Sequence, residues 1–216
     1  MAAEAALRAW NRLHVSQSYW PISFDVALLL SQWLVRQGWV TTGCAVLLAH
    51  RALLRVGEVL RLRIKDMRIL GKAQGILRLE HTKTGAEQPV RIEDPGIKTM
   101  LRSLIARLTQ TGYGPEDFVF NLSYAQLRAQ YKSGIWAIGL AGGRVVFHSL
   151  RHGGATDLYL SGVGLDNIAH AGRWRSLTTA RRYVSTGVAL LTQVALSKAQ
   201  AAVAYRLAKA WPYAVF

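Results

Sequence analysis

The stretch HSLRHGGATDLYLSGVGLDNIAHAGRWRSLTTARRY, residues 148–183, decides how the rest of the chain is read. It sets His148, Arg151, His152, Trp174 and Tyr183 between short apolar segments of helical period. Residues 149–160 read as a helix ended by Ser161-Gly162, residues 165–171 as a second ended by Gly172, and residues 176–183 as a third. His148 then precedes the first helix, and Arg151 and His152 fall in its first turn, where free N–H groups and partial positive charge suit a phosphate. No metal-ligand spacing accounts for these side chains, so no metal or cofactor is expected. A tyrosine that follows a run of phosphate-binding groups suggests a phenolic nucleophile directed at a phosphodiester.

Upstream, Ser123 with Gln126 three residues on reads as a capping box for a helix reaching Leu140, ended by the glycines of AGGR. Tyr124, Tyr131 and Trp136 on it are expected to pack. Asp94-Pro95 is a strong helix start, and Ile97, Met100, Leu101, Leu104, Ile105 and Leu108 trace one apolar face up to Gly112. Before that the period changes to two. Leu77 and Leu79 alternate with Arg78 and Glu80, and Val90 and Ile92 with Arg91, so two strands flank HTKTGAEQP and put Lys83 at a hairpin tip; residues 67–70 make a third strand. In LLRVGEVL, Gly57 is expected to permit a tight turn between two helices, leaving Arg55 at a helix end. Further helices are expected from Ser23 to a stop at Gly38 and over residues 42–53.

Composition restricts the partners. The chain has 216 residues, with 27 Lys and Arg against 12 acidic residues for a net charge of +15 spread along its length. Such a field favours a polyanion. Arginine outnumbers lysine 20 to 7, and the planar guanidinium grips phosphate oxygens in a way that an ammonium does not. One cysteine, Cys44, excludes an intramolecular disulfide framework. No apolar run approaches a membrane span, and the N-terminal segment lacks the apolar core of a signal peptide. An intracellular protein is expected, in the nucleus if eukaryotic and in the cytoplasm if bacterial.

Taken together, Arg55 in RVGE, Lys83 on a hairpin, HSLRH with His148, Arg151 and His152, Trp174 and Tyr183 resemble the catalytic domain of the tyrosine recombinases, the phage integrase family. The spacings match that layout: 28 residues from Arg55 to Lys83, 23 from Arg151 to Trp174 and nine from Trp174 to Tyr183. The resemblance implies an α+β, mostly α-helical catalytic domain with a small antiparallel β-sheet over residues 23–187. Residues 1–22 are then a tail or linker, and residues 188–216 a helical tail that protomers could exchange. Two departures are visible. Gly57 stands where many members have Ser or Thr, and Arg173 intervenes between Gly172 and Trp174, leaving open which of Arg173 and Trp174 faces the phosphate.

The resemblance also implies roles. Arg55 and Arg151 would neutralise the nonbridging oxygens as charge builds on phosphorus, and Tyr183 would attack to give a 3′-phosphotyrosyl ester. His148 would take the phenolic proton or bind the phosphate, Lys83 would protonate the departing 5′-oxygen, and Trp174 would donate its indole N–H. Glu58 and His152 would support these groups from behind, and Arg173, Arg175 and Arg181 are candidates to touch DNA. The expected partner is double-stranded DNA, bound by a tetramer on two DNA sites. Two alternatives stand beside recombination: type IB topoisomerase-like relaxation, and a catalytically silent DNA-binding or assembly module.

Overall fold

The computed structural model describes residues 19–70, 74–82, 85–184 and 195–211. Helix α1 (Phe24–Arg36) begins at Ser23 and gives way to a left-handed turn at Gly38 (φ 82°). Helix α2 (Val40–Arg51) packs against it, burying Leu28, Leu30 and Leu34 against Leu47 and Leu48. The helix expected over residues 42–53 stops at Arg51 because Leu53 adopts a left-handed backbone (φ 49°). That turn replaces the one expected at Gly57, which instead lies inside the short helix α3 (Val56–Leu60). The physical reason is the Glu58 carboxylate, which accepts from the Arg55 amide at 2.7 Å and caps α3 one residue after Arg55. Arg55 is at a helix end, as its position beside the turn suggests.

Strands β1 (Met67–Leu70), β2 (Gln74–Thr82) and β3 (Gly85–Arg91) form an antiparallel sheet in the order β1-β2-β3. Leu77 pairs with Val90 and both are buried, while Arg78 between Leu77 and Leu79 faces solvent. The ladder continues to Thr82↔Gly85, so the strands reach further into HTKTGAEQP than the alternation of apolar residues indicates. Lys83 lies outside the described residues.

Asp94 caps helix α4 (Pro95–Gln110) by accepting from the amides of Gly96 at 2.8 Å and Ile97 at 3.0 Å. Helix α5 (Tyr124–Ala137) carries the expected capping box, Ser123 N to Gln126 at 2.9 Å and Gln126 N to Ser123 at 3.2 Å. It ends three residues before Leu140, where Gly139 turns left-handed (φ 78°). Tyr131 is buried and donates to the Val146 carbonyl at 3.0 Å. Tyr124 and Trp136 do not pack as expected: they are 57% and 74% exposed on the outer face of α5.

The chain closes with α6 (His148–Leu160), α7 (Leu165–Gly172), α8 (Leu177–Tyr183) and α9 (Lys198–Ala210). Helix α6 starts one residue earlier than the periodicity suggests and includes His148. Helix α9 packs on α1 through Ala204 and Leu207, and Trp211 beyond it donates to Asp94 Oδ1 at 2.9 Å while meeting the Phe24 ring edge-on. Residues 188–194 and 212–216 of the expected tail lie outside the described residues, as do residues 1–18. The described end of the N-terminal segment is seated in the fold. Trp20 N donates to Arg144 O at 3.1 Å, Ile22 N to Ser149 O at 3.2 Å, and Ile22 is fully buried. The molecule is mostly helical with one small antiparallel sheet, the α+β class expected. Among the described residues, no helix is long and apolar enough to cross a membrane.

Candidate active site

Two glycines let α6 press against its neighbours. A Cβ on Gly153 would sit 1.6 Å from the Ile22 carbonyl oxygen, and one on Gly154 2.1 Å from that of His50. The helix is thereby wedged between residues 19–22 and the end of α2, which leaves the Arg151 side chain with no exposed surface. Its Nη1 donates to the Leu53 carbonyl and its Nη2 to that of Gly172, tying α6 to the turn after α2 and to the end of α7. A small apolar cluster of Leu53, Ala155, Ile168, Ala169, Trp174 and Ala180 lies beside these contacts, with Tyr183 packed on it.

The second device is at the end of α7. A Cβ on Gly172 would fall 2.2 Å from the Trp174 ring, so only glycine lets the indole fold back under the helix. The residue that turns left-handed is Arg173 (φ 56°, ψ 41°), not the Gly172 expected as the stop. Trp174 then lies 4.4 Å from the Tyr183 ring, centroid to centroid, at 32°. His152 stacks on the same phenol ring at 4.4 Å and 28°. His148 Nε2 is 3.2 Å from the Tyr183 hydroxyl. The Arg151 guanidinium carbon lies 4.8 Å from the Trp174 ring centre and 5.6 Å from that of Tyr183.

Glu58 gathers the arginines. Its Oε1 accepts from Arg55 Nη1 at 2.7 Å and its Oε2 from Arg173 Nη2 at 2.7 Å, with Arg151 Nη1 4.0 Å away. Arg173 Nη2 also reaches the Leu53 carbonyl at 3.1 Å. Arg55 keeps 24% of its side chain open to solvent, whereas Arg173 keeps 8%. Arg173 therefore turns into the protein, while Arg175 and Arg181 stand exposed and do not join the cluster.

Charge and burial set the protonation states. Burial, reinforced by Arg151 and Arg55, pulls His148 down to about 4. Burial, with His148 and Arg151, brings His152 to about 4 as well. Both imidazoles are neutral at pH 7 and can accept a proton. Burial, followed by the nearby Arg55 and Arg173 charges, lowers Arg151 to about 9, so it stays cationic. Burial pushes Glu58 up, but Arg173 and the Arg55 amide and guanidinium together hold it below the usual carboxylate range.

Four buried nitrogens of this cluster have no hydrogen-bond partner: Arg151 Nε, His152 Nδ1, Arg173 Nε and Trp174 Nε1. Each such group costs roughly 1–3 kcal/mol, and the arginine and tryptophan nitrogens can only donate. Buried donors and cationic guanidiniums beside a phenol can seat an anion next to the Tyr183 hydroxyl. Of the residues picked out by sequence, Arg55, Glu58, His148, Arg151, His152, Arg173, Trp174 and Tyr183 come together here. The backbone carbonyls of Leu53 and Gly172, on which the arginines hang, were not among them, because a carbonyl acceptor leaves no residue-type signature. Tyr19 was also missed: its ring lies edge-on to His148 at 6.1 Å and to His152 at 6.4 Å.

Residues 22–188 match the model of the phage integrase family. A probable integrase/recombinase protein of Methanocaldococcus jannaschii is 27% identical over 140 residues, 60% of this chain and 41% of that protein. Among solved structures, XerA recombinase aligns with a TM-score of 0.61 at 18% identity over 89% of this chain and 66% of its own. XerH site-specific recombinase bound to difH substrate, in a pre-cleavage complex, gives 0.63 at 20% identity over 77% of this chain and 50% of its own. A lambda integrase dimer bound to a COC′ core site gives 0.57 at 20% over 78% and 49%. These structural likenesses are of fold, and the chain spans about half the length of most of these proteins.

Proposed function

The chain belongs to the phage integrase family, and from that premise we propose that it breaks and rejoins DNA strands at defined sites through a covalent bond between Tyr183 and a 3′-phosphate. The observation that carries this reading is the Tyr183 hydroxyl 3.2 Å from a neutral His148 imidazole, inside a nest of partnerless buried nitrogens. On attack, the Tyr183 oxygen bonds to phosphorus and its proton passes to His148 Nε2. The bond from phosphorus to the 5′-oxygen breaks, and Lys83 supplies the proton that the leaving oxygen needs. Rejoining reverses these transfers: a 5′-hydroxyl attacks the phosphotyrosyl ester, and the phenol departs and recovers its proton. The ester conserves the bond energy, so no nucleotide is consumed.

Arg55 brings a partly open guanidinium to the nonbridging oxygens, and Arg151 brings its charge and its free Nε. Trp174 offers its indole N–H and holds the phenol ring from one side while His152 stacks on it. Arg175 and Arg181 are exposed at either end of the segment leading to Tyr183, and their guanidiniums would contact the DNA backbone. The partner is double-stranded DNA, and two sites are brought together by a tetramer of this chain.

A duplex nicked next to the cleavage position traps the covalent adduct, because the short leaving fragment diffuses away. Adducts resistant to denaturing gels form with the wild-type chain and vanish in Tyr183→Phe. An adduct that persists in that variant removes Tyr183 from the reaction, and none with cognate DNA sinks the cleavage reading. Relaxation of a supercoiled plasmid lacking any cognate site would instead support the topoisomerase alternative.

A further inference from the structure

Several turns in this chain that require a left-handed residue use glycine: Gly38, Gly112, Gly139 and Gly162 have φ between 78° and 95°. The end of α7 uses Arg173 instead. A non-glycine residue in that conformation costs of the order of 1 kcal/mol and persists where its surroundings hold it. Among the described residues, Leu53 is the other non-glycine residue with positive φ, and the two strained positions meet through the bond from Arg173 Nη2 to the Leu53 carbonyl. That same nitrogen holds Glu58 Oε2 at 2.7 Å. The backbone strain at both positions thus goes with the delivery of a third guanidinium to the Glu58 carboxylate.

The charges can be counted. Arg55, Arg151 and Arg173 contribute three positive charges and Glu58 one negative, leaving two in excess. A phosphodiester carries one negative charge, and the five-coordinate species formed on attack carries two. Arg55 and Arg151 less Glu58 match the first. Within the arginine and carboxylate cluster Arg173 adds a second, beside the charge that His148 gains with the phenolic proton and the charge on Lys83, so the contribution of Arg173 grows as the reaction proceeds and should be felt in rate rather than affinity.

We propose that Arg173 is a positioning residue for strand cleavage: held by Glu58 and the Leu53 carbonyl, it stops the carboxylate from cancelling Arg55 and Arg151 and balances the charge that develops on phosphorus. The proposal rests on the cleavage reading above. It separates Arg173 from Arg175 and Arg181, which would contact DNA from the surface.

The test compares wild type with Arg173→Met, Arg173→Lys and the exposed control Arg128→Met on two nicked duplexes. One carries the ordinary scissile phosphodiester; the other carries a methylphosphonate, in which a methyl group replaces one charged oxygen. Arg173→Met is expected to slow single-turnover cleavage of the phosphodiester by about 10²-fold at saturating DNA, with DNA affinity changed by less than about threefold. Arg173→Lys restores part of the rate, and on the methylphosphonate the Met defect shrinks below about tenfold. An equal defect on both duplexes, or one confined to affinity, overturns the proposal.

A second readout does not depend on cleavage. Inorganic phosphate at about 50 mM and about pH 8, where it is mostly a dianion with the charge of the five-coordinate species, is expected to raise the thermal midpoint of wild type and Arg128→Met but not of Arg173→Met. If wild type forms no adduct, the part of the proposal that concerns cleavage falls with that reading, and this arm decides whether Arg173 supplies charge to the anion seat. A phosphate shift lost in Arg173→Met then upholds the charge role; a shift that survives, or none in wild type, overturns it.

Discussion

A histidine 3.2 Å from a phenol is a useful base only if it is neutral when the phenol attacks, and the burial that brings His148 down to about 4 provides that across the physiological range. The complementary acid is the harder group to place, since Lys83 lies outside the described residues. Its assignment can still be tested at the level of one atom. Lys83→Ala is expected to slow cleavage of an ordinary 5′-oxygen linkage by about 10²–10⁴-fold, yet to leave a 5′-bridging phosphorothiolate close to the wild-type rate, because a thiolate leaves without a proton. Comparable losses on both substrates would take the general-acid role away from Lys83. At this scale the side chains of the site were readable because their chemistry is written in residue type: Arg151, His152 and Tyr183 stand in the sequence as they stand in the cluster. Arg173 was legible only as an open choice against Trp174. Its orientation depends on the left-handed backbone at position 173 and on the Leu53 carbonyl, and neither follows from residue type.

Among the elements, α6 carries the site and depends on two missing side chains. Gly153→Ala would place a methyl group 1.6 Å from the Ile22 carbonyl oxygen, so α6 and residues 19–22 must separate. The expected loss is about 3 kcal/mol or more, read as a lower urea midpoint, whereas Gly142→Ala, with nothing within 4 Å of its Cβ, should fall within about 0.5 kcal/mol of wild type. A Gly153→Ala variant as stable as the Gly142→Ala control would show that the wedge is not tight. The element boundaries that were legible have side-chain caps: Asp94-Pro95 at α4, and the Ser123 and Gln126 pair at α5. The turn assigned to Gly57 was misplaced because glycine only permits a left-handed backbone. The Glu58 cap decided where α3 begins and moved the turn to Leu53.

For the molecule as a whole, buried titratable groups fix how stability follows pH. His148 and His152 fall to about 4 and His50, fully buried and bonded to the Ile22 carbonyl, to about 3, against 6.5 when unfolded. Between pH 6.5 and 4 the unfolded chain therefore binds more protons at these positions, and stability declines as pH falls. Asp157 works the other way. Burial lifts it to about 6 from 3.8, so the folded chain takes up its proton first and gains stability over that window. Three histidines outweigh one carboxyl, and urea midpoints should drop steadily from pH 6.5 to pH 4; a flat or rising profile would contradict neutral burial of the histidines. The mostly helical class with a small antiparallel sheet was legible from the switches between period 3.6 and period 2. The seating of α9 on α1 was not, because an Ala-rich amphipathic segment fits its own chain and a neighbour's equally well until Trp211 is seen bonded to Asp94.

Arg151 hangs from Leu53, 98 positions away, and Arg173 grips Glu58 across 115. The bond from Arg55 to Glu58 is local, as are the ring contacts of His148 with His152 and of Trp174 with Tyr183, but the arginines are held across the chain. During synthesis, the early arginine and its carboxylate emerge long before the tyrosine, and neither can be arranged for chemistry until the later segment arrives to hold them. A chain that ends before residue 173 therefore lacks the side chain that joins the Glu58 carboxylate to the Leu53 carbonyl.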